Sequence, residues 1–350
     1  MQRARLESLL AGMRGLRIAV VGDLFLDAWI FIDRGRDEPS LETGKIAYQV
    51  DHAVYTPGAA GTVLGNLAAL GVGTLRAVSL LGEDGHGLEL LRGLHRLGVD
   101  TGDVLQDAAL VTPTYCKPLF MPGADVPGAA AVEHNRMDYK NLRPTPPALE
   151  DALIARIHAL PGTVDAVLVL DQLTEANTGV VTDRVRDALA AMARAHPELL
   201  VFADSRAHLH KFRDMTLKCN HLEAAAITGT RAPAEGDFSR EAAFAALDAL
   251  AERAGRAPFV TCGAQGIACV CADGSKALVR AARQTGPIDV CGAGDSCSAG
   301  IVSALCAGAD RQEATFVANL VAGVTVRKLG TTGSASPQEI LTLYEEQFAE

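Results

Sequence analysis

Two kinds of hydrophobic pattern alternate along this chain. Short, nearly continuous apolar runs occupy 16–21 (LRIAVV), 75–80, 166–170, 199–203 and 259–261, and several stop at once in Gly or Asp. A run that is apolar on both faces and ends this way predicts a strand buried in a parallel sheet. Between the runs lie segments with apolar residues at helical spacing, such as Leu88, Leu91, Leu94 and Leu97, closed by Gly98. These predict helices. Further helices are expected over 3–13, from Pro57-Gly58-Ala59-Ala60-Gly61 to Ala69, over 295–307 and 311–328, and after a Ser336-Pro337 cap. A hairpin is expected at 267–271 and 276–279.

The alternation breaks in two places. From Trp29 to Tyr55, charged residues mix with short alternating pieces such as Ile46-Ala47-Tyr48-Gln49-Val50. The segments 112–120 and 131–138 alternate in the same way around a Gly/Pro loop, and 144–147 marks a return to strand–helix order. Alternation at period two reads as strands standing off the main sheet. The expected fold is therefore α/β: a doubly wound, mostly parallel sheet with helices on both faces and a small β-strand lid. One domain over 1–350 is expected, with lid inserts at approximately 29–56 and 112–140.

Composition changes this picture only at the edges. Of 350 residues 49% are hydrophobic but 5% aromatic, so the core is aliphatic. A net charge of −10 argues against nucleic acid as a partner. No run approaches the roughly 18 apolar residues of a membrane span, so no membrane partner is expected. The first helix holds Glu7 and leads straight into a strand, which favours a structural helix over a targeting peptide. The eight cysteines form no CxxC pair and lie mostly in apolar runs. They read as reduced, buried thiols of a cytoplasmic protein. His208, His210, Cys219 and His221 match no common zinc spacing.

Candidate chemistry centres on Asp289-Val290-Cys291-Gly292-Ala293-Gly294-Asp295, which leads into a helix opened by small residues. Uncovered amides at a helix N-terminus hold an anion, most often a phosphate. An acid in the same turn makes sense if Asp295 accepts a proton while the amides hold charge developing in the reaction. The spacing equally fits a plain strand-to-helix turn. Asp27, Asp171 and Asp204 follow strand-like runs, at the rim where open α/β sheets bind ligands. Asp27 fits either a grip on a sugar hydroxyl pair or a turn cap. Gly44-Lys45 is not a Walker A loop, and the glycines at 82–87 lack the later acid of a dinucleotide site.

Several elements in order resemble the ribokinase-like (PfkB) carbohydrate kinase family over nearly the whole chain. They are Pro57-Gly58 through Asn66 and Leu70-Gly71, Gly82-x-Asp84-x-x-Gly87 with Gly98-Val99-Asp100, Asn220-x-x-Glu223, Thr261-x-Gly263-x-x-Gly266 and Asp289-x-x-Gly292-Ala293-Gly294-Asp295. Gly22-Asp23 to Asp27, Lys328-Leu329-Gly330-Thr331 and Ser336-Pro337 look most like the kinase domain of the heptose-phosphate kinases. The resemblance implies ATP-dependent phosphorylation of a hydroxyl on a small-molecule sugar or sugar phosphate. It implies Asp295 as base, Gly292, Ala293 and Gly294 as anion hole, and Asn220 and Glu223 organising Mg2+ and phosphates through water. Asp27 and the Gly58 turn would bind the sugar. Asp289 and the 327–334 loop would hold a monovalent cation such as K+, and Thr261, Gly263, Gly266 and Asn319 would border the adenine.

The chain also departs from the family pattern. Ala59 stands where a second glycine is usual, and Thr62 where an asparagine usually meets the sugar, while Asn66 is kept. These changes bear on the acceptor and leave the transfer machinery intact. Lys117, Arg136 and Arg206 are the basic residues placed to take a substrate phosphate. Rival readings are a nucleoside kinase, disfavoured by few aromatics, and a non-catalytic sugar or nucleotide sensor. A homodimer through the lid is expected from its exposed strand edges.

Overall fold

The apolar runs form the centre of the molecule in a computed structural model that describes residues 1–122, 131–229 and 238–348. In chain order, β1 (Arg17–Gly22) opens the main sheet. β2 (Leu24–Ile32), β3 (Glu38–Pro39), β4 (Ile46–Ala47) and β5 (Val50–Ala59) make a first excursion. β6 (Thr74–Gly82) and β7 (Val99–Asp107) return to the main sheet. A second excursion is made by β8 (Thr114–Phe120), β9 (Val132–Glu133) and β10 (Met137–Tyr139). β11 (Ala166–Asp171), β12 (Leu200–Ser205), β13 (Thr216–Asn220), β14 (Phe259–Thr261), β15 (Ile267–Val270) and β16 (Lys276–Val279) complete the main sheet. Residues 123–130, most of the expected Gly/Pro loop, lie outside the described residues.

The nine strands of the main sheet run β16-β15-β14-β13-β12-β11-β1-β6-β7. All neighbours pair in parallel except β14 with β15 and β15 with β16, which are antiparallel. The chain winds outward from β1 to β7, then returns to β11 and winds the other way. The strand order therefore reverses between β1 and β11, and the C-terminal ends of those strands border a ligand crevice. Asp23 joins the two halves there. Its carboxylate accepts the amides of Gln172 (2.9 Å), Leu173 (3.4 Å) and Val180 (2.8 Å). Burial pushes it up to about 6, helped by Asp171 and opposed by those amides.

Helices cover both faces. α1 (Arg3–Gly12), α2 (Ala60–Ala69), α3 (Gly85–Arg96), α8 (Ala293–Cys306), α9 (Arg311–Thr325) and α10 (Pro337–Phe348) bury Leu6, Leu64, Leu94, Ile301, Leu320 and Leu343 against one face. α4 (Pro147–His158), α5 (Asp183–Ala195), α6 (His221–Thr228) and α7 (Arg240–Ala254) bury Ile157, Leu189, Ala224 and Leu247 against the other. Among the described residues, no helix is long and apolar enough to cross a membrane.

The second sheet runs β10-β8-β2-β5, with β2 antiparallel to β5 and parallel to β8. Its first strand corrects the sequence reading. Asp27 lies past the end of β1 but inside β2, not in a turn, because the apolar pattern of LFLDAWIFI resumes directly after Asp23. β7 and β13 were also not anticipated. β7 is a sheet-edge strand with polar outward positions, and β13 holds a charged residue, Lys218, between apolar ones.

Candidate active site

Gly292 precedes α8 in the left-handed region, at φ 75°, which places the helix N-terminus at the end of the 289–292 turn. The point where its Cβ would sit is 3.4 Å from Thr62 Cγ2 and 3.5 Å from Thr332 Cβ, so α2 and the 327–334 loop flank the turn. Ala293 donates its amide to Val290 O (3.1 Å) and Ser296 donates to Gly292 O (3.0 Å). The first-turn amides of Gly294 and Asp295 have no intrahelical acceptor, and the helix dipole adds positive potential there. Of the three amides expected to hold an anion, that of Ala293 is already engaged within the turn.

Asp295 is half-buried in the first turn of α8. Its carboxyl is pushed up to about 7, chiefly by burial, then by the charge of Asp204. Lys218 opposes this and Asp27 adds to it. A group in this range is poised to take a proton near neutral pH.

Across the cleft, Asp27 and Trp29 on β2 pair in register with Tyr115 and Lys117 on β8, so all four project from one face of the second sheet. Lys117 Nζ lies 2.9 Å from Asp27 Oδ1 and 4.0 Å from the centre of the Trp29 ring. Both charges are buried, at 6% exposure for Asp27 and 9% for Lys117. They act on the Cys291 thiol, Lys117 lowering it and Asp27 raising it against a rise due mainly to burial, which sets this face opposite the 289–295 turn. Gly58 makes room for the pair, since a Cβ there would stand 2.5 Å from Asp27 Oδ2. Ala59 follows at φ 52° and ψ −117°, a conformation that suits glycine alone. Asn66 donates Nδ2 to Thr62 O (2.9 Å), while its Oδ1 is buried without a partner among the described residues.

On the third side, Asn220 caps α6. Its Oδ1 accepts the amides of Leu222 and Glu223, both at 2.9 Å, and Glu223 Oε2 accepts the Asn220 amide at 2.8 Å. This reciprocal box fixes the Glu223 carboxylate at the helix start. Burial raises its pKa against the pull of the Asn220 amide, and Asp204 adds to the rise. Thr261 donates to Cys219 O (3.3 Å) and leads into the 263–265 turn, closed by Gly266 at φ 106°. Asp289 straps two loops together: Oδ1 accepts the Cys291 amide (2.9 Å) and Oδ2 the Gly330 amide (3.0 Å).

Comparison with known proteins agrees with this arrangement. A family model described as pfkB family carbohydrate kinase matches residues 169–339. The bifunctional protein HldE of Trichlorobacter lovleyi is 30% identical over 345 residues, which are 97% of this chain. The chain is similar to pfkB family carbohydrate kinases over residues 169–339, and to HldE over nearly its whole length. It spans 65% of the length of that relative, and 62% of the HldE protein of Bradyrhizobium sp., which is 32% identical over 92% of this chain. Solved structures share the fold at lower identity. Arabidopsis thaliana ribokinase complexed with ribose and ATP has a TM-score of 0.67 at 17% identity, covering 94% of this chain and 98% of that one. Phosphofructokinase-2 from Escherichia coli in complex with substrates and products has a TM-score of 0.69 at 16% identity, covering 95% and 100%.

The pfkB match takes in Asn220, Glu223, Thr261, Gly263, Gly266, Asp289, the Gly292–Asp295 turn and Asn319, but not Asp27, Gly58, Ala59, Thr62, Asn66, Lys117 or Arg136. The fold brings Asp27, Lys117, Thr62 and Asp295 to one cleft. Other expected residues are engaged elsewhere. Arg136 forks onto Asp138 (2.6 and 2.9 Å) and lies over the Tyr115 ring. Asn319 donates to Val279 O (2.8 Å) and Arg280 O (3.2 Å). Asp171 does not open to the rim. It is buried against Arg186 (3.3 Å), Ser205 (2.8 Å) and His208 (3.4 Å). Among the described residues, no group of three or more His, Cys, Asp or Glu side chains is placed to hold a metal directly. All eight cysteines are free, and Cys291 corrects the expectation of buried thiols, because its place in the turn leaves it exposed. Lys218, Trp29 and Tyr115 were not singled out from the sequence. The one available signal for Lys218 was a charged residue two positions before Asn220, inside an apolar stretch.

Proposed function

We propose that this chain transfers the terminal phosphoryl group of ATP to a hydroxyl of a small-molecule sugar or sugar phosphate. One observation carries the reading: a half-buried carboxyl raised to about 7, Asp295, stands in the first turn of a helix whose N-terminal amides face the cleft. Asp27 orients the acceptor from the lid side. Its partner Lys117 neutralises it at rest and supplies a cation for an acceptor that already carries a phosphate. Asp295 then takes the proton of the aligned hydroxyl. A carboxylate suffices, because the transition state of phosphoryl transfer is loose and the nucleophile need lose its proton only late. The amides of Gly294 and Asp295 stabilise charge on the phosphoryl group in flight. The lid strands exclude water and so suppress hydrolysis of ATP.

The donor set also fits a hard cation reached through water. Only Oε2 of Glu223 is engaged in its capping box, and Asn220 lies beside it. Asn220 and Glu223 would hold Mg2+ there through water, and it would supply charge neutralisation to the phosphates. Asp289 and the 327–334 loop, strapped together at Gly330, would hold a monovalent cation such as K+. Residues 1–350 act as one ribokinase-like kinase domain, working in the cytoplasm.

The test is a coupled ATP-consumption assay over a panel of sugars, sugar phosphates and nucleosides, with Asp295→Asn as the control. The reading expects ADP release that depends on one sugar-class acceptor and is lost in the control. Dependence on a nucleoside would reassign the acceptor, and nucleotide binding without turnover on any acceptor would favour a sensor.

A further inference from the structure

A buried ion pair lies directly beneath the Gly292–Asp295 turn. Lys218 is 4% exposed, and its Nζ is 2.5 Å from Asp204 Oδ2. Ser298, fully buried on α8, donates to Asp204 Oδ2 (3.2 Å) and is also 3.2 Å from Gly294 O. The ammonium itself reaches the turn, since a Cβ on Gly294 would stand 3.2 Å from Lys218 Nζ. Two strands and a helix thus converge on one residue of the turn: β13 brings the cation, β12 the carboxylate, and α8 the hydroxyl that links them. Burial opposes the charged form of Lys218, and Asp204 outweighs burial, so the ammonium stays charged. Among the described residues, no other Lys or Arg is paired with Asp204 or Asp295.

A buried ion pair is a weak device for stability, because desolvation offsets the attraction. Its placement against a turn that presents amides to an anion gives it another use. We propose that Lys218 is a positioning residue for phosphoryl transfer: held by Asp204, it fixes the Gly294 end of the turn and adds positive charge behind the amides. This rests on the transfer reading given above. The charge acts where negative charge grows in the reaction, so it serves the terminal phosphate more than the rest of the nucleotide. The groups facing Asp295 are Asp204 from β12, Lys218 from β13, Asp27 from β2, and Cys291 and Cys297 from its own segment.

Lys218→Met alone leaves Asp204 buried without its cation and is expected to fold poorly. The informative variant is Lys218→Met with Asp204→Asn, which removes both charges and keeps an acceptor for Ser298. Thermal unfolding should fall near that of the parent. Measured above the pH at which Asp295 ionises, kcat should drop about 100-fold, with KM for ATP changed less than about threefold. Calorimetric titration with ADP and with adenylyl imidodiphosphate, both with Mg2+, gives a readout independent of turnover. The preference for the triphosphate analogue should shrink about tenfold while ADP affinity holds. A double variant that folds and keeps both kcat and that preference within about threefold overturns the proposal. If the parent shows the preference and the variant loses it, but no acceptor is ever phosphorylated, the positioning role stands and the kinase reading fails.

Discussion

At the α8 side of the cleft the positive backbone angles fall on glycines: Gly292 at 75°, Gly263 at 55° and Gly266 at 106°. At the lid side the turn entering α2 reaches 52° at Ala59, a residue with a side chain. The charges differ in the same sense. Asp27 is neutralised by Lys117 at 2.9 Å, whereas among the described residues Asp295 has no ion-pair partner and is pushed up to about 7. The α8 side is unstrained backbone holding one unsatisfied acid, as a site for proton and phosphoryl transfer requires. The lid side is a neutralised pair beside a strained turn, which suits recognition of a particular acceptor. The family match covers the first region and not the second. In the proposed reading, chemistry and specificity divide between the two sides, and substitutions on each side should read out in different constants.

The largest expected effect is at Asp295. Asp295→Asn should lower kcat about a thousandfold, within the usual range for loss of a positioned base, and leave ATP affinity by calorimetry unchanged. Near-parental turnover would remove Asp295 from the role of base. The same variant has a stability signature. The folded carboxyl titrates at about 7, above its ordinary 3.8, so the folded state binds the proton more tightly than the unfolded one. The stability this contributes is present below about 4 and is lost as pH rises through 7. Asp295→Asn should match the parent in thermal unfolding near pH 4 and exceed it near pH 8. A variant that is less active yet more stable at alkaline pH is the behaviour of a site under functional strain.

The next effect is on the lid side. Asp27→Asn should raise KM for the acceptor about 10- to 100-fold, the worth of one charge-assisted hydrogen bond, with KM for ATP unchanged. An equal rise in both constants would break the separation of the two regions. A smaller effect should appear in the pH profile. The acid limb of kcat/KM reports the free enzyme, so activity should rise through pH about 7 as Asp295 ionises. Asp204 raises Asp295 more than Lys218 lowers it, so the double variant Lys218→Met with Asp204→Asn should move that limb to lower pH. A limb that stays in place would mean that the Asp204 charge does not outweigh that of Lys218 at the base.

How much of this was legible in the sequence follows from where each residue's partners lie. β1 and β11 are buried on both faces, and their apolar runs announced them. The Gly292–Asp295 turn and the Asn220/Glu223 box are local, with their hydrogen bonds closing within a few residues, so the turn showed in its spacing, beside a plain structural reading, and the box in its resemblance to a family element. Asp27 was placed at a turn because the single break at Asp23 hides that β2 continues. Lys218 read as a break in an apolar run, because its reason for being there, Asp204, lies on the neighbouring strand. Asn319 shows the converse. Its amide goes to carbonyls of Val279 and Arg280 about one sheet edge away, a pairing no local pattern encodes.

The smallest expected effect tests the strain at Ala59. At φ 52° and ψ −117° a Cβ is unfavourable, and such positions cost about 1–3 kcal/mol. Ala59→Gly relieves that cost but adds backbone freedom to the unfolded chain, worth about 0.4–1 kcal/mol in the other direction. Ala59 also precedes α2 as its N-cap, where glycine is preferred to alanine. Its methyl packs against the core cluster, so some apolar contact is lost. The terms leave a net gain of about 1 kcal/mol, which in a chain of this size shifts thermal unfolding upward by a degree or two. A loss of stability would show that the methyl contact outweighs the backbone angle. The acceptor KM of the same variant completes the comparison. If Ala59 is held in a glycine's conformation because its methyl shapes the acceptor pocket, Ala59→Gly should gain stability and weaken acceptor binding severalfold, while kcat and KM for ATP stay with the α8 side.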